Sequence, residues 1–224
     1  MMDKLTLVIP AKKESESLPK VLKELESTKV NIIVVIPVED KLTRDSIKDF
    51  NCKIIDENHG RGYGCALRTG IENVETEFFC IFNADGSFKP IYLKKMYNIL
   101  CENDVDFIFC SRYGDNAGSD DDTFLTYIGN KIFTFLCNFL FKLGISDVLF
   151  TYVMGRSKKF KVLDIKSNDF SFCVEFPIKA KLNNLILSSI PSYERSRIAG
   201  TKKVNEFKDG FLILISILKL YILK

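Results

Sequence analysis

Apolar runs and amphipathic stretches alternate along the first half of the chain. The intervening stretches carry apolar residues at helical spacing, as in Leu18, Val21, Leu22 and Leu25 behind Pro19. Near-continuous apolar strands joined by helices are typical of a parallel sheet covered on both faces. The pattern predicts an α/β fold with a mostly parallel, doubly wound sheet flanked by helices. The predicted strands are residues 5–11, 30–38, 52–57, 77–85 and 105–114.

The alternation stops near residue 114. Residues 116–122, NAGSDDD, form a polar stretch that we expect to be flexible, and residues 124–145 form a long, aromatic-rich run with helical period. The polar side chains Asn130 and Lys131 within that run argue against a membrane span and favour a core or interfacial helix.

The C-terminal residues 211–223 are apolar and helical in pattern, but they cover only about 20 Å at about 1.5 Å per residue. A hydrocarbon core about 30 Å thick is too wide for them to span. A core helix, an oligomer contact and an interfacial anchor all remain open.

Length and composition add few constraints. The 224 residues fit one domain, and the net charge of +3 gives no argument for nucleic acid as a partner. The seven cysteines show no CxxC pair, and we expect no signal peptide before the first strand. We therefore expect a cytoplasmic protein with reduced cysteines, which could lie peripherally on the cytoplasmic face of a membrane.

Polar side chains gather where predicted parallel strands end, which is where α/β sheets bind ligands. The fourth strand runs into NADGS, which offers the Asp85 carboxylate and the Asn83 amide as hard oxygen ligands for Mg²⁺ or Mn²⁺. Taken alone, this cluster is also a common turn composition. Asp40 and Arg112 follow the second and fifth strands and fall at the same edge.

Two further segments could bind phosphate. Residues 57–70 place glycines and Arg61 before a helix, although the spacing fits neither a Walker A nor a complete dinucleotide fingerprint. The lone histidine of this loop, His59, is more simply incidental than catalytic. Residues 191–203 concentrate Arg197 and Lys203 around a glycine, and a solvated basic loop is the simpler interpretation of that segment alone.

In their order along the chain, these segments resemble the family 2 glycosyltransferases with a GT-A (Rossmann-like) fold, especially the dolichyl- and polyprenyl-phosphate sugar transferases. The matching segments are IPAKKES, VEDKLTRDS, NHGRGYGCALRTGI, NADGSFKP, CSRYG, GISDVLFTYVMGR, FCVEFPIKA and RSRIAGTKK. Asn83 stands where the family has the first metal-binding Asp, Lys202 where it has Ser, and an arginine expected near residues 122–131 is missing.

The resemblance implies one domain over residues 1–224, with a nucleotide-binding half (1–114), a helical acceptor-side half (115–207) and a C-terminal apolar helix (208–224). It implies inverting sugar transfer from a nucleotide diphosphate sugar with a divalent metal. The catalytic residues would be Asp85, Asp147, Arg197 and Lys203, with Asp85 and Asn83 holding the metal. The nucleotide would be held by Pro10, Ala11, Glu14, Asp40, Gly60, Arg61 and Asp85.

The apolar segments favour polyprenyl or dolichyl phosphate as the acceptor, held by Arg112, Lys131 and Arg156, with residues 211–223 at a membrane surface. A saccharide hydroxyl would instead need a carboxylate base, and Asp147 is the family-matched candidate. A nucleotide-sugar-binding protein with weak or no catalysis is the main alternative. A nucleotidyltransferase is less favoured, because PAKKESESLP contains no glycine. The sequence leaves the donor, the acceptor and the oligomeric state open.

Overall fold

The computed structural model describes residues 2–57, 60–200 and 203–224 and contains nine β-strands and eight α-helices in these ranges. Asn58, His59, Thr201 and Lys202 lie outside the described residues, and with them the interpretations of His59 and Lys202. The strands are β1 (Leu5–Pro10), β2 (Asn31–Ile36), β3 (Lys53–Asp56), β4 (Phe78–Ile81), β5 (Phe107–Ser111), β6 (Gly118–Ser119), β7 (Val153–Arg156), β8 (Leu187–Pro191) and β9 (Tyr193–Glu194).

Seven of these strands form one sheet in the order β3-β2-β1-β4-β7-β5-β8, and β6 pairs with β9 in a small second sheet. Every pairing is parallel except those of β7, which runs antiparallel between β4 and β5. The central strands are buried on both faces, which explains their unbroken apolar sequences. The predicted fold class, an α/β fold with a mostly parallel sheet, is confirmed.

The helices cover both faces of this sheet. One apolar core lies under α1 and α4, and the other lies under α3, α5, α6, α7 and α8. The helices are α1 (Leu18–Leu25), α2 (Lys41–Ser46), α3 (Tyr63–Glu72), α4 (Ile91–Glu102), α5 (Phe124–Phe141), α6 (Ser157–Lys161), α7 (Phe172–Leu182) and α8 (Glu206–Ile222).

Local sequence explains where several helices begin. Helix α1 has a proline in its first turn and buries the four apolar residues that its spacing predicts. Helix α5 begins at a capping box in which the Thr123 hydroxyl accepts from the Thr126 N–H, while the Thr126 hydroxyl accepts from the Thr123 N–H. It ends at Phe141, and the next residue, Lys142, has a left-handed backbone that closes the helix.

Helix α3 lies close to the sheet because of Gly70. A Cβ at Gly70 would stand 2.3 Å from the Val8 side chain and 2.9 Å from that of Val35. Any larger residue would push the helix away from β1 and β2. This close contact positions the loop before α3 at the carboxyl edge of the sheet.

Helices α5 and α8 differ from the others in how much apolar surface they leave exposed. Within the described part of the chain, α5 is the single helix long and apolar enough to cross a bilayer by length and composition, and only 22% of it is buried in the domain. The division of residues 1–224 into two halves and a terminal helix stays a prediction.

Candidate functional site

A cavity of about 460 Å³ opens at the carboxyl ends of the parallel strands. This is the edge at which open α/β sheets bind their ligands, because strand ends and helix starts leave room and free backbone groups there. Among the residues that line the cavity are eight predicted from the sequence: Pro10, Ala11, Glu14, Asn83, Asp85, Arg112, Arg197 and Lys203. The cavity therefore brings together side chains from both ends of the chain.

The NADGS turn after β4 forms the floor of the cavity with Asn83 and Asp85. The Asp85 carboxylate accepts from the Ser87 N–H at 2.9 Å, and the Asn83 amide donates to the Ser87 hydroxyl at 3.3 Å. Gly86 has a φ of 81°, and a Cβ there would stand 2.4 Å from Ile198. The turn is thus both left-handed and closely covered by the 194–200 segment.

The donor atoms of this turn fit a hard divalent cation. Asp85 supplies one carboxylate and Asn83 one amide oxygen, and no three acidic, histidine or cysteine side chains meet in the described ranges to form a complete metal cage. Mg²⁺ and Mn²⁺ sites often use one or two protein carboxylates and take the remaining ligands from phosphates and water. These residues suit a divalent cation whose remaining coordination positions are filled by a phosphorylated ligand and water.

Two basic side chains, Arg197 and Lys203, line the cavity together with Asp85, and each is paired with a carboxylate. Arg197 donates to Asp121 at 3.1 Å and 2.5 Å and lies 4.0 Å from Asp85. Its hydrogen bonds to Asp121 raise the pKa of Arg197. Lys203 forms an ion pair with Glu14. A bound diphosphate would compete with these carboxylates for both cations.

The turn after β1 is held by its neighbours from β2 and α2. The Ala11 N–H donates to the Val35 carbonyl at 2.9 Å, and Asp40 accepts from the Lys13 N–H at 2.5 Å and from the Thr43 N–H at 3.2 Å. Burial raises the pKa of Asp40, but these hydrogen bonds outweigh it and leave the pKa below its usual range. Asp40 caps α2 and positions the turn, while Glu14 lines the cavity itself.

The glycine-rich loop before α3 places different residues at the cavity from those expected. Arg61 is 80% exposed and lies 3.5 Å from Glu39, and neither Gly60 nor Arg61 lines the cavity; Glu57 and Gly62 do. The Glu57 carboxylate accepts from the Gly62 N–H at 2.9 Å. The prediction that Gly60 and Arg61 contact a nucleotide finds no support in this geometry.

Close packing accounts for two of the glycines in that loop. A Cβ at Gly62 would stand 2.3 Å from the Asn168 carbonyl oxygen, and one at Gly64 would stand 2.6 Å from that of Ser167. The 166–167 backbone is in turn held by Glu175, which accepts from both N–H groups. These glycines therefore let α3 pack against the 166–169 segment.

Arg112, a predicted acceptor-binding residue, lines the cavity, and buried carboxylates neutralise its charge. It donates to Asp147 from Nε at 2.8 Å and from Nη2 at 3.1 Å, and to Glu194 at 3.3 Å, with Asp122 3.9 Å away. Burial lowers the pKa of Arg112, but the charge and hydrogen bonds of Asp147, with the charge of Glu194, raise it overall. Arg112 lines the cavity without a free charge to offer.

The structure corrects the placement of Asp147. Its side chain is fully buried, is absent from the cavity lining, and accepts from the Arg112 N–H and from the Asn130 amide as well as from the guanidinium. A general base must reach the acceptor hydroxyl. The Asp147 carboxylate is instead buried against the Arg112 guanidinium. In this arrangement Asp147 orients Arg112, and its assignment as a catalytic residue stays a prediction.

The other two predicted acceptor-binding cations are also placed elsewhere. Arg156 ends β7 beside Phe78, at the amino edge of the parallel strands, where it donates to the Leu100 and Val105 carbonyls. The antiparallel direction of β7 sends it there, so the structure does not bring Arg156 to the cavity with the other predicted site residues. Lys131 lies outside the cavity lining, with its ammonium 3.9 Å from the Tyr113 ring centre.

Besides Glu57, three acidic residues that the sequence interpretation passed over line the cavity: Asp121, Asp122 and Glu194. Pairing of β6 with β9 brings these three residues together. The Ser119 hydroxyl donates to the Glu194 carboxylate at 2.5 Å, and it accepts from the Asp121 and Asp122 N–H groups. Burial raises the pKa of Glu194 despite the charge of Arg112. The run of acids in NAGSDDD is the available signal for Asp121 and Asp122, although its composition predicts a flexible polar stretch.

A mostly parallel sheet with a cavity at its carboxyl edge is the arrangement expected of a GT-A glycosyltransferase, and comparison with known families agrees. The model of the family described as glycosyl transferase family 2 matches residues 6–164, so the chain belongs to this family. It is 26% identical over 226 residues to the uncharacterized protein MJ1222 of Methanocaldococcus jannaschii, covering 95% of this chain and 92% of that one.

A second relative carries a stated activity. The chain is 24% identical over 162 residues to the low-salt glycan biosynthesis hexosyltransferase Agl6 of Haloferax volcanii. This alignment covers 72% of the present chain and 39% of the Haloferax enzyme, so most of that enzyme has no counterpart here. The family and this relative identify the chain as a glycosyltransferase.

Solved structures show the same fold. Glucosyl-3-phosphoglycerate synthase from Mycobacterium tuberculosis, in complex with Mn²⁺, UDP and glucosyl-3-phosphoglycerate, superposes with a TM-score of 0.74 at 11% identity, over 96% of this chain and 79% of that one. Mannosyl-3-phosphoglycerate synthase from Rubrobacter xylanophilus gives a TM-score of 0.70 at 15% identity, over 96% and 72% of the two chains. At these identities the likeness shows the GT-A fold alone.

Proposed function

We propose that this glycosyltransferase moves a sugar from a nucleoside diphosphate sugar to an acceptor hydroxyl, with inversion and with a divalent cation at Asp85 and Asn83. The observation that carries the proposal is the meeting of Asp85, Arg197 and Lys203 in one cavity at the carboxyl edge of the sheet. The Mycobacterium enzyme of the same fold, in complex with Mn²⁺ and UDP, supports this choice of donor class and metal.

The leaving group in this reaction is a nucleoside diphosphate, whose negative charge grows as the bond to the sugar breaks. Mg²⁺ or Mn²⁺ supplies Lewis-acid stabilisation of that charge when bound. Arg197 and Lys203 supply the remaining positive charge once the diphosphate has displaced Asp121 and Glu14 from them. The turn at Pro10 and Ala11 would hold the nucleotide beside them.

The charge of the acceptor side favours a neutral hydroxyl over a phosphate. Asp122, Asp147 and Glu194 surround Arg112, so this cluster carries more negative than positive charge and would repel an anionic acceptor. A hydroxyl acceptor needs a general base. Asp122 and Glu194 both line the cavity, and Glu194, whose pKa is raised by burial, is our candidate. The acceptor proton goes to Glu194, the acceptor oxygen bonds to the anomeric carbon, and the electron pair of the broken bond leaves with the diphosphate.

A polyprenyl or dolichyl phosphate acceptor is the second candidate. The exposed apolar side chains of α5 and α8 favour it, because they offer a surface for a lipid near the cavity. Its phosphate oxygen would need no general base, and Lys131 is the predicted acceptor cation that remains exposed. The cytoplasmic location, free or on the cytoplasmic face of a membrane, stays a prediction on either hypothesis.

Two linked measurements test the proposal. Purified protein is first screened for thermal stabilisation by UDP-, GDP-, dTDP- and CDP-sugars with and without Mn²⁺, where a ligand at 100 times its Kd adds about 2.7 kcal/mol. A metal-dependent shift with one donor is expected. Absence of any shift would contradict donor binding, and a shift that ignores the metal would contradict the role of Asp85 and Asn83.

The second measurement compares turnover of the wild-type protein and Glu194→Gln with the donor so identified. A base contributes about 10²–10⁴-fold, so kcat for a hydroxyl acceptor should fall by that factor while donor stabilisation stays unchanged. Gln keeps the size and hydrogen-bonding capacity of Glu194, so the fold should survive. Unchanged turnover together with transfer to polyprenyl phosphate would reject the hydroxyl hypothesis and leave the lipid-phosphate one.

A further inference from the structure

Helices α5 and α8 leave a large apolar surface uncovered. Phe135 and Phe139 on α5 stack on each other with about 70% of each residue exposed, and Phe211 on α8 is 64% exposed. A contiguous apolar patch of this kind on a soluble protein marks a binding surface. Its members are Phe124, Leu125, Ile128, Ile132, Phe135, Phe139, Phe207, Phe211, Leu214, Ile215, Leu218 and Ile222.

Helix α5 is fixed to the domain along its length and cannot leave it to cross a bilayer. Asn130 hydrogen-bonds the buried Asp147, the Thr134 hydroxyl accepts from the Val148 N–H at 3.1 Å, and the Asn138 amide donates to the Ile145 carbonyl at 2.8 Å. These contacts occupy one face of the helix and leave the opposite, apolar face outward. The helix is therefore suited to lying against a surface.

Helix α8 lies beside α5 and runs in the same direction. Gly210 is next to the Phe133 ring near one end, and the Tyr221 and Phe141 rings meet edge to face at 6.0 Å near the other. Ile213 and Ile217 are buried beneath α8. At about 100° per residue, the exposed apolar positions of both helices then point to the same side of the pair.

Positive charge flanks this apolar surface. The same helical geometry puts Lys131 on the side of α5 away from α8, and Lys208 and Lys219 on the side of α8 away from α5. Residues 124–142 and 210–224 contain no acidic residue, and Glu206 and Asp209 in the first turn of α8 are the acids nearest to them within α8. An apolar centre between lysine flanks is the pattern of helices that bind anionic lipid.

We propose that α5 and α8 together form a platform that docks on the surface of an anionic bilayer, with the aromatic and aliphatic side chains in the acyl boundary and the lysines among the headgroups. A second copy of the chain fits less well, because two such faces would bring lysines together without acids to pair with them. The sequence predicts a membrane anchor in residues 211–223 alone, whereas the platform includes α5 as well as α8. The proposal does not depend on which acceptor the enzyme uses.

The platform also lies next to the cavity. Thr126 and Asn130 in the first half of α5 line the cavity, as do Lys203 and Val204 just before α8. Both helices therefore run away from the cavity along the proposed membrane surface. Docking through them would hold the opening of the cavity close to the lipid headgroups.

Single tryptophan probes test the proposal directly, because the chain contains no tryptophan. Phe135→Trp and Phe211→Trp are each mixed with vesicles of about one-third phosphatidylglycerol in phosphatidylcholine. Both should shift their emission to the blue and be quenched by brominated acyl chains. Ile91→Trp, at an exposed position of α4 on the other face of the sheet, is the matched control and should not respond. Two silent platform probes would overturn the proposal.

A second experiment removes the apolar contact without touching the core. Phe135→Glu combined with Phe211→Glu changes only exposed side chains, so circular dichroism and thermal melting should match the wild-type protein. Binding to the same vesicles in a sedimentation assay should weaken about tenfold or more, and Ile91→Glu should leave it unchanged.

The remaining outcomes of that assay are also decisive. Weaker binding to pure phosphatidylcholine and at high salt is expected, since lysines contribute the electrostatic part. Equal binding to both vesicles would overturn the role of the lysines. A stable dimer in the absence of vesicles that the double Glu variant converts to a monomer would assign the platform to a second copy and overturn the membrane proposal.

Discussion

Asp147 distinguishes a structural role from a catalytic one more sharply than any other residue of the site. Its side chain is fully buried and accepts from the Arg112 N–H, Nε and Nη2 and from the Asn130 amide. Asp147→Ala removes all of these acceptors at once and leaves a buried guanidinium with its remaining partners. We therefore expect Asp147→Ala to lower the free energy of unfolding substantially.

The magnitude follows from the geometry around Arg112. Removing one partner of a buried ion pair costs about 3–5 kcal/mol, because the other charge is left buried and uncompensated. Arg112 keeps Glu194 at 3.3 Å and Asp122 at 3.9 Å, so we expect the lower end of that range, about 3 kcal/mol. For a chain of 224 residues, about 3 kcal/mol corresponds to a melting temperature about 6–12 °C lower.

The assay is urea and thermal unfolding of the wild-type protein, Asp147→Ala and Asp147→Asn, followed by circular dichroism. The exposed Asp49→Ala is the matched control and should change the free energy of unfolding by less than about 0.5 kcal/mol. Asn can still accept hydrogen bonds, so it should destabilise less than Ala. If Asp147→Ala were as stable as wild type while Asp147→Asn abolished transfer, the structural role would be refuted and Asp147 would be the base.

Three further predictions concern the metal, the pH profile and the sheet. Asn83→Asp adds a second carboxylate to the cation site and should tighten Mn²⁺ binding about tenfold in calorimetry with bound nucleoside diphosphate; an unchanged affinity would contradict the proposed ligands. Because burial raises the pKa of Glu194 in the free protein and a base acts when deprotonated, kcat/KM should fall on acidification with a midpoint above the ordinary glutamate value of 4.5, and Glu194→Gln should lack this limb. Gly155→Ala puts a Cβ 2.0 Å from the buried Phe107 ring and should cost about 1–3 kcal/mol in urea unfolding. Gly129→Ala, with nothing within 4 Å, should be neutral or stabilising, and equal effects of the two would contradict the packing argument.

Much of the fold was predictable because its signals are local. The apolar strands β1, β2 and β4, the spacing of α1 and the glycine before α3 each restrict the backbone without reference to distant residues. The sequence pattern also located the carboxyl edge of the sheet and, with it, Asp85. It gave no sign that β7 would insert antiparallel between β4 and β5, since strand direction depends on the path of the intervening chain.

The site was predicted less completely, because the partners of a charged side chain come from distant segments. Arg112 and Asp147 are 35 residues apart, and Arg112 and Glu194 are 82 apart. Nothing local distinguishes an arginine that binds a phosphate from one that is enclosed by three carboxylates. For the same reason, the acids of NAGSDDD have the composition of a flexible polar stretch. Only the pairing of β6 with β9 shows that Asp121 and Asp122 line the cavity.

By itself, the sequence determined the class of fold, the carboxylate at Asp85 and the two apolar segments of α5 and α8. These follow from side-chain periodicity and from turn chemistry, which act over a few residues. Only the tertiary structure decided that Arg156 faces the opposite edge of the sheet, that Asp147 lies behind Arg112, and that α5 and α8 point their apolar sides the same way. Burial and ion pairing depend on which segments meet, and that is set by packing over the whole chain.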